Sequence, residues 1–184
     1  MVKLEENSAL VVIDVQKVWS EPIFGKRNNP DAEKVISRLL GKFRESGRTI
    51  IHVRHDSMNP DSLFKQGKPT FDFKDEVIPL PSEKVITKHV NSAFIGTDLE
   101  SHLRKMGNPQ LFYVGLVTDH CVSTTVRMSG NLGFRSYVIE DACATYDRTD
   151  SKGNVIPAEE VHRTNLASID GEFAEVIESS VLIL

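Results

Sequence analysis

Runs of consecutive apolar residues are the feature that most constrains the fold of this chain. The clearest run covers residues 9–13 and leads directly into Asp14. Successive side chains of a β-strand point to opposite faces of the sheet, so a run that is apolar throughout predicts a strand covered on both faces, as in a parallel sheet. Segments rich in β-branched or aromatic residues predict further strands at residues 49–53, 85–87, 111–116, 136–139 and 173–177.

Helical spacing of apolar residues separates these strands. Helices are predicted at residues 30–45, 98–106, 119–132 and 158–169. Alternating strands and helices predict a three-layer α/β/α sandwich around a central, mostly parallel six-stranded sheet of the Rossmann-like class. We expect one domain over residues 1–184, and the pattern at residues 181–184 fits a strand and a short helix equally well.

Composition narrows the class of partner. The 184 residues carry a formal net charge of -4 without any block of Lys or Arg, so we expect neither nucleic acid nor an anionic membrane as a partner. No apolar run reaches the roughly 20 residues that span a bilayer. The first residues are acidic and polar, and the two cysteines form no Cys-x-x-Cys pair. We therefore expect a cytoplasmic protein that acts on a small molecule.

Three reactive side chains follow predicted strands. Asp14 ends the first, Lys88 ends the third, and Cys121 opens the helix after the fourth. Ligands of open α/β sheets bind where the carboxyl ends of the strands meet, so we expect these three groups to converge there. Alone, each also fits an ordinary role: a turn carboxylate, a surface lysine and a packed thiol.

The start of the helix that carries Cys121 suggests a reactive thiol. Thr118 or Asp119 is expected to cap this helix, and its unpaired N–H groups and dipole favour an anion. A nearby ammonium group would lower the pKa of the thiol further, so we predict a lowered pKa for Cys121. His120 points about 100° away from its neighbour on a helix, so we place it at the pocket rim rather than in a Cys–His dyad.

Irregular segments are expected to shape the pocket. Residues 17–30, 56–82 and 146–155 lack any period, and a loop as long as 56–82 is usually a lid or a pocket wall. Trp19 and Phe24 are candidates for an apolar wall. The second cysteine, Cys143, is predicted to be a packed core thiol.

Three segments together resemble the isochorismatase-like cysteine hydrolases, a family that includes nicotinamidase and N-carbamoylsarcosine amidohydrolase. They are residues 12–16 around Asp14, residues 88–94 from Lys88 to Phe94, and residues 115–125 around Cys121. The resemblance extends over nearly the whole chain. It implies that Asp14, Lys88 and Cys121 are catalytic and that Phe94 lies near the pocket.

The same resemblance implies further features. A cis peptide bond is expected between Leu116 and Val117, so that the backbone N–H groups of Val117 and Cys121 form an oxyanion hole. It also implies a homo-oligomer, a dimer or tetramer, in which a neighbouring subunit sometimes completes the pocket.

The metal site of the family's nicotinamidases has no counterpart in the pattern. Those enzymes carry an Asp-x-His pair after the second strand and another His downstream. Here His55 and Asp56 are adjacent, and no His lies between His55 and His89. We therefore predict no metal and no cofactor, and we regard His55 as a candidate for substrate contact.

The expected activity is metal-independent hydrolysis of a small amide or carbamoyl C–N bond through a thioester on Cys121. Two alternatives remain. An isochorismatase-type hydrolase of a vinyl ether would need Asp14 but not Cys121. A non-catalytic thiol redox sensor would use Cys121 as a thiolate that is oxidised reversibly.

Overall fold

Six parallel strands form the central sheet of the computed structural model, which describes residues 1–183. The strands are β1 Ser8–Ile13, β2 Thr49–His55, β3 Lys84–Lys88, β4 Gln110–Leu116, β5 Ser136–Ala144 and β6 Glu175–Ile177. They lie in the spatial order β3-β2-β1-β4-β5-β6, with every neighbouring pair parallel. This is the strand order of the Rossmann fold, and it confirms the predicted fold class.

Helices cover both faces of the sheet. They are α1 Ala32–Glu45, α2 Leu99–Lys105, α3 Ser123–Asn131 and α4 Ala158–Ala167. The apolar side of α1 packs with Leu10 and Val12 of β1 in one core. The other three helices pack with Ala9 and Val11 in a second core on the opposite face. Within residues 1–183, no helix is both long and apolar enough to cross a membrane.

Strand pairing explains two boundaries that the sequence pattern did not show. β5 continues beyond residue 139 because its pairing with β4 shifts: Tyr113 lies opposite Val138, but Gly115 lies opposite Cys143. The polar bulge between these pairs ends the apolar pattern without ending the strand. At the other boundary, Ser179–Val181 is a 3₁₀ turn and Leu182–Ile183 pairs with Val2–Lys3, a strand that was not predicted. Leu184, which belongs to the undecided segment, lies outside the described residues.

Buried polar side chains hold the irregular loops against the sheet. Glu33 at the start of α1 accepts hydrogen bonds from Arg27 at 2.7 and 2.6 Å and from Lys74 at 2.6 Å, so it joins two loops. Burial raises the pKa of Glu33, but these bonds outweigh burial and lower it to about 2. Gln16 donates to the carbonyls of His55 and Phe71 at 3.1 and 2.8 Å, which fixes the loop after β1.

A close backbone approach at Gly115 joins the two central strands. Gly115 has φ +135°, and a Cβ atom there would lie 2.0 Å from the carbonyl oxygen of Ile13. Ile13 directly precedes Asp14, and Gly115 lies in the strand that leads to Cys121. Only glycine permits both the backbone conformation and the contact, so this residue fixes the distance between the two halves of the predicted site.

We expect Gly115→Ala to lower the free energy of unfolding by about 2–6 kcal/mol, because backbone strain and overpacking add. The matched control is Gly41→Ala, since Gly41 lies within α1 and a Cβ there meets nothing within 4 Å. The control should be neutral or stabilising by up to about 1 kcal/mol. Urea denaturation followed by circular dichroism measures both, and equal stability of the two variants would contradict the prediction.

Candidate active site

The order in which the chain adds strands reverses between the neighbouring parallel strands β1 and β4, and the candidate site lies at the carboxyl ends of these strands. The chain passes from β1 to β2 on one side and from β4 to β5 on the other. Such a reversal opens a crevice, which is the usual ligand site of an open α/β sheet. Asp14 follows β1, Lys88 is the last residue of β3, and Cys121 lies in the turn after β4.

The structure brings the three predicted residues together. The ammonium Nζ of Lys88 lies 2.6 Å from Oδ2 of Asp14 and 3.3 Å from Sγ of Cys121. The side chains of Asp14 and Lys88 are both 0% exposed, whereas Cys121 retains 8% of its surface. The ammonium also donates to the carbonyl of Val90 at 3.1 Å. A charged pair therefore lies buried beside a thiol.

The backbone of Asp14 adopts an unusual conformation, while its carboxylate stays available. Its φ is +50°, a left-handed conformation that Asp tolerates better than most residues. Its carbonyl accepts hydrogen bonds from the Trp19 indole and the Gln16 amide, each at 2.8 Å. Nζ of Lys88 contacts Oδ2 of the carboxylate, whereas Oδ1 has no hydrogen-bond partner among residues 1–183. Oδ1 can therefore accept a proton.

Burial and charge set the protonation state of the site. Burial lowers the pKa of Lys88, but Asp14 and Cys121 outweigh it and raise the pKa overall. Burial and the Asp14 carboxylate raise the pKa of the Cys121 thiol, and Lys88 only partly opposes them. The predicted lowered pKa of Cys121 is therefore wrong for the unliganded protein, because burial dominates over the neighbouring ammonium and the helix end. These directions favour a protonated Lys88 and a neutral Cys121 thiol in the unliganded protein.

The turn that carries Cys121 is wider than an ordinary first helical turn. Thr118–Val122 forms one π-helical turn that leads into α3, and the peptide bond between Leu116 and Val117 is cis, as the resemblance implied. Val117 occupies the cap position without a side-chain cap, so the predicted capping by Thr118 or Asp119 is wrong.

Both predicted capping residues have other partners. The Thr118 hydroxyl lies 2.8 Å from Nδ1 of the buried His162 on α4. The Asp119 carboxylate accepts from Arg148 at 2.7 and 3.1 Å and from the Thr145 hydroxyl. These bonds come from side chains of other segments, so the turn is held by tertiary contacts rather than by a cap at the start of the helix.

Aromatic rings pack beside the carboxylate side of the site. The ring of Trp19 lies 4.7 Å from Phe24, 5.1 Å from Phe64 and 5.7 Å from Tyr146, measured between centroids. His55 contacts the edge of Phe64 at 5.5 Å, and its Nδ1 lies 3.4 Å from the Lys88 ammonium. Trp19, Phe24 and His55 therefore line one connected surface. Phe64 and Tyr146 complete it from segments that showed no period.

His55 is held neutral in this surface. Burial, then Lys88, lowers its pKa, while the Asp14 carboxylate opposes them. Since the ammonium can only donate, Nδ1 of His55 acts as the acceptor and Nε2 is assigned the proton.

The other predicted substrate contacts lie apart from the aromatic surface. The ring of Phe94 stacks on Phe134 at 5.8 Å and belongs to the core shared with α2, α3 and α4. The side chain of His120 is 56% exposed, and its nearest charged partner is Asp119 at 3.5 Å. Contact of Phe94 or His120 with a substrate stays a prediction. Cys143 is fully buried, which confirms its packed position, and burial raises its pKa to about 12.

The surface around Cys121 is nearly closed. Only 8% of the surface of Cys121 is exposed, and the side chains of Asp14 and Lys88 are fully buried. The part of the thiol that a reactant can reach is therefore small.

Comparison with known proteins assigns the family. The isochorismatase domain matches residues 8–180. An isochorismatase family protein of Bacillus subtilis (strain 168) is 43% identical over 180 residues, which cover 98% of this chain and 96% of that protein. This chain belongs to the isochorismatase family.

Relatives of this family member include named hydrolases. The crystal structure of an isochorismatase-family protein from Chromobacterium violaceum has a TM-score of 0.93 and 45% identity, covering 96% of this chain and 91% of the other. A nicotinamidase of Arabidopsis thaliana is 27% identical over 176 residues, which cover 96% of this chain and 76% of that enzyme.

His55, Asp56 and His89 do not fit the metal site described for nicotinamidases of this isochorismatase family. Nδ1 of His55 faces an ammonium, and the Asp56 carboxylate accepts from Lys65 at 3.1 Å and from the Gln66 amide at 2.9 Å. Nδ1 of His89 lies 2.9 Å from the carbonyl of Asp56. Among residues 1–183, no group of three or more His, Cys, Asp or Glu side chains could hold a metal ion.

Two residues near the site escaped the sequence analysis. Nδ2 of Asn91 lies 3.7 Å from Sγ of Cys121, although Asn91 was part of the recognised segment without any assigned role. His162 is 5% exposed on the inner side of α4, where it holds Thr118. A histidine at an inward position of an amphipathic helix is a signal that could have found it.

Removing one partner of the buried ion pair should be much more costly than removing both. We expect Lys88→Met to lower the free energy of unfolding by about 3–5 kcal/mol, because it leaves the Asp14 carboxylate buried without a counterion. The double variant Asp14→Asn with Lys88→Met should recover most of this loss. Urea denaturation at pH 7 measures Lys88→Met, Asp14→Asn and the double variant, and a double variant as unstable as the two single losses added together would refute the expected coupling.

Proposed function

We propose that this chain is a metal-independent cysteine hydrolase that cleaves a small non-peptide C–N bond, in an amide or carbamoyl compound, through a thioester on Cys121. The observation that carries the proposal is the buried Lys88 ammonium, in contact with both the Asp14 carboxylate and the Cys121 sulfur. An ordinary surface lysine or packed cysteine would need no such arrangement. The nicotinamidase relative supports an amide rather than an ether as the bond cleaved.

In the first half-reaction, Asp14 removes the proton of Cys121 as the sulfur attacks the carbonyl carbon. A thiol with a raised pKa needs such a base, because little thiolate exists before substrate binds. The C–N bond then breaks, and the leaving amine takes the proton from Asp14. Lys88 stays protonated throughout and stabilises the negative charge on the sulfur and on Asp14.

Backbone N–H groups are assigned to the charge that forms on the carbonyl oxygen. The cis peptide before Val117 and the wide turn that follows it distinguish this segment from an ordinary helix start. In our proposal the N–H groups of Val117 and Cys121 donate to this oxyanion, and the bonds from His162 and Arg148 hold the turn in place.

In the second half-reaction, water attacks the thioester while Asp14 accepts a proton from it. The C–S bond breaks, the acid leaves, and Asp14 returns the proton to the sulfur. The neutral His55 and the aromatic rings of Trp19 and Phe24 are assigned to substrate contact. They add no free charge, so an uncharged substrate is the better match.

Replacing Cys121 with Ala should lower kcat on a small amide by about 10⁴-fold or more, because no thioester can form. A panel of small amides and carbamoyl compounds, assayed by amine or ammonia release, measures this loss. Cys143→Ala is the matched control, since Cys143 is the other cysteine and is fully buried. In wild type, mass spectrometry of acid-quenched reactions should find the acyl group on the Cys121 peptide.

Other outcomes would support the alternatives. Cleavage of a vinyl ether that survives Cys121→Ala but not Asp14→Asn would replace the amide reaction with ether hydrolysis. Absence of turnover on the whole panel, together with reversible sulfenic acid formation on Cys121, would favour a redox sensor. The raised pKa of Cys121 counts against a sensor, which needs a standing thiolate.

A further inference from the structure

The side chain of Asn91 contacts the sulfur from the open side of the site. Its amide Nδ2 lies 3.7 Å from Sγ of Cys121, within reach of a hydrogen bond to sulfur. Lys88 approaches the same atom at 3.3 Å but is fully buried, whereas Asn91 is exposed. The sulfur therefore has one charged donor beneath it and one neutral donor at its accessible side.

The segment around Asn91 is fixed relative to Cys121. The Thr125 hydroxyl, on α3 and one helical turn beyond Cys121, lies 3.4 Å from the carbonyl of Asn91 and accepts from the Ala93 amide at 3.1 Å. The Lys88 ammonium donates to the carbonyl of Val90. The backbone on both sides of Asn91 is thus held, by Thr125 on α3 and by Lys88, which keeps the Asn91 side chain within reach of the sulfur.

The chemistry at the sulfur calls for such a donor. The attacking sulfur gains negative charge when Asp14 takes its proton, and it gains charge again when it leaves the thioester. A primary amide offers two N–H donors and no charge, so it can stabilise this sulfur without competing with Asp14 for Lys88. The opposite amide orientation would place the carbonyl oxygen against the sulfur and repel the same charge.

We propose that Asn91 is a catalytic residue that donates a hydrogen bond to the Cys121 sulfur whenever the sulfur carries negative charge. The reaction that it serves is the proposed cysteine hydrolysis, so the role as a catalyst rests on that function. The contact with the sulfur does not, and it can be tested without any substrate.

Alkylation of Cys121 by iodoacetamide tests the contact. The rate follows the stability of the sulfur anion, and mass spectrometry of the Cys121 peptide measures it. Asn91→Leu keeps the branched shape but removes the donor, and Asn91→Asp keeps the shape but adds a negative charge. We expect the rate at pH 8 to fall about 3–10-fold in the Leu variant and further in the Asp variant.

The control is Asn131→Ala, because Asn131 is an exposed asparagine at the end of α3 with no side-chain hydrogen bond among the described residues. It should match wild type. Equal rates in wild type and the Leu variant, or a faster rate in the Asp variant, would overturn the proposal. The Leu and Asp variants have the same shape and should leave the thiol equally accessible. A difference between their rates therefore reports the charge next to the sulfur and not a change in access.

Steady-state kinetics on an amide that wild type cleaves tests the catalytic role. Asn91→Leu should lower kcat about 10-fold, because one transition-state hydrogen bond is lost, while KM changes less than about 3-fold. A raised KM with unchanged kcat would show substrate binding instead and would overturn the assignment. If wild type cleaves no amide, the proposed function fails, whereas the alkylation rates still decide whether Asn91 stabilises the sulfur anion.

Discussion

The buried contact between Lys88 and Asp14 is the constraint on which the candidate site depends. Both side chains are fully buried, and an isolated charge at such a position is strongly unfavourable. Each charge is tolerated because the other lies 2.6 Å away, and the ammonium also contacts the Cys121 sulfur and the Val90 carbonyl. The ends of β1 and β3 and the turn after β4 must therefore stay in register, or a charge is left unpaired.

The same pair explains why the thiol stays protonated. An ammonium alone would favour a thiolate, but burial and the adjacent carboxylate each raise the pKa of the thiol by more than the ammonium lowers it. The site therefore holds no preformed thiolate and generates one only when a base and an electrophile are present together. Its surroundings are balanced in the same way, since Asp119 pairs with Arg148, Asp56 pairs with Lys65 and His55 is neutral.

The sequence predicted the framework well because both-face burial leaves a direct pattern. The apolar run before Asp14 and the segments ending at Lys88 and Leu116 located three strand ends, and the rule for open sheets placed them together. Features that depend on tertiary contacts were missed. The continuation of β5 follows a shifted pairing with β4. Thr118 and Asp119 do not cap the Cys121 turn because they bond to His162 and Arg148 instead. The pKa of Cys121 depends on burial, which no local motif reports. The ring of Phe64 reaches Trp19 only through the fold of an aperiodic loop.

Trp19 is the only tryptophan of the chain, and its surroundings give it a practical use. Its indole N–H donates to the Asp14 carbonyl at 2.8 Å, and its ring packs on Phe24, Phe64 and Tyr146. Indole emission is sensitive to both hydrogen bonding and local polarity, and the tryptophan fluorescence of the native protein arises at one known place. A ligand that displaces any of these rings would change that emission without a label, and stopped-flow detection could time its arrival separately from the covalent step.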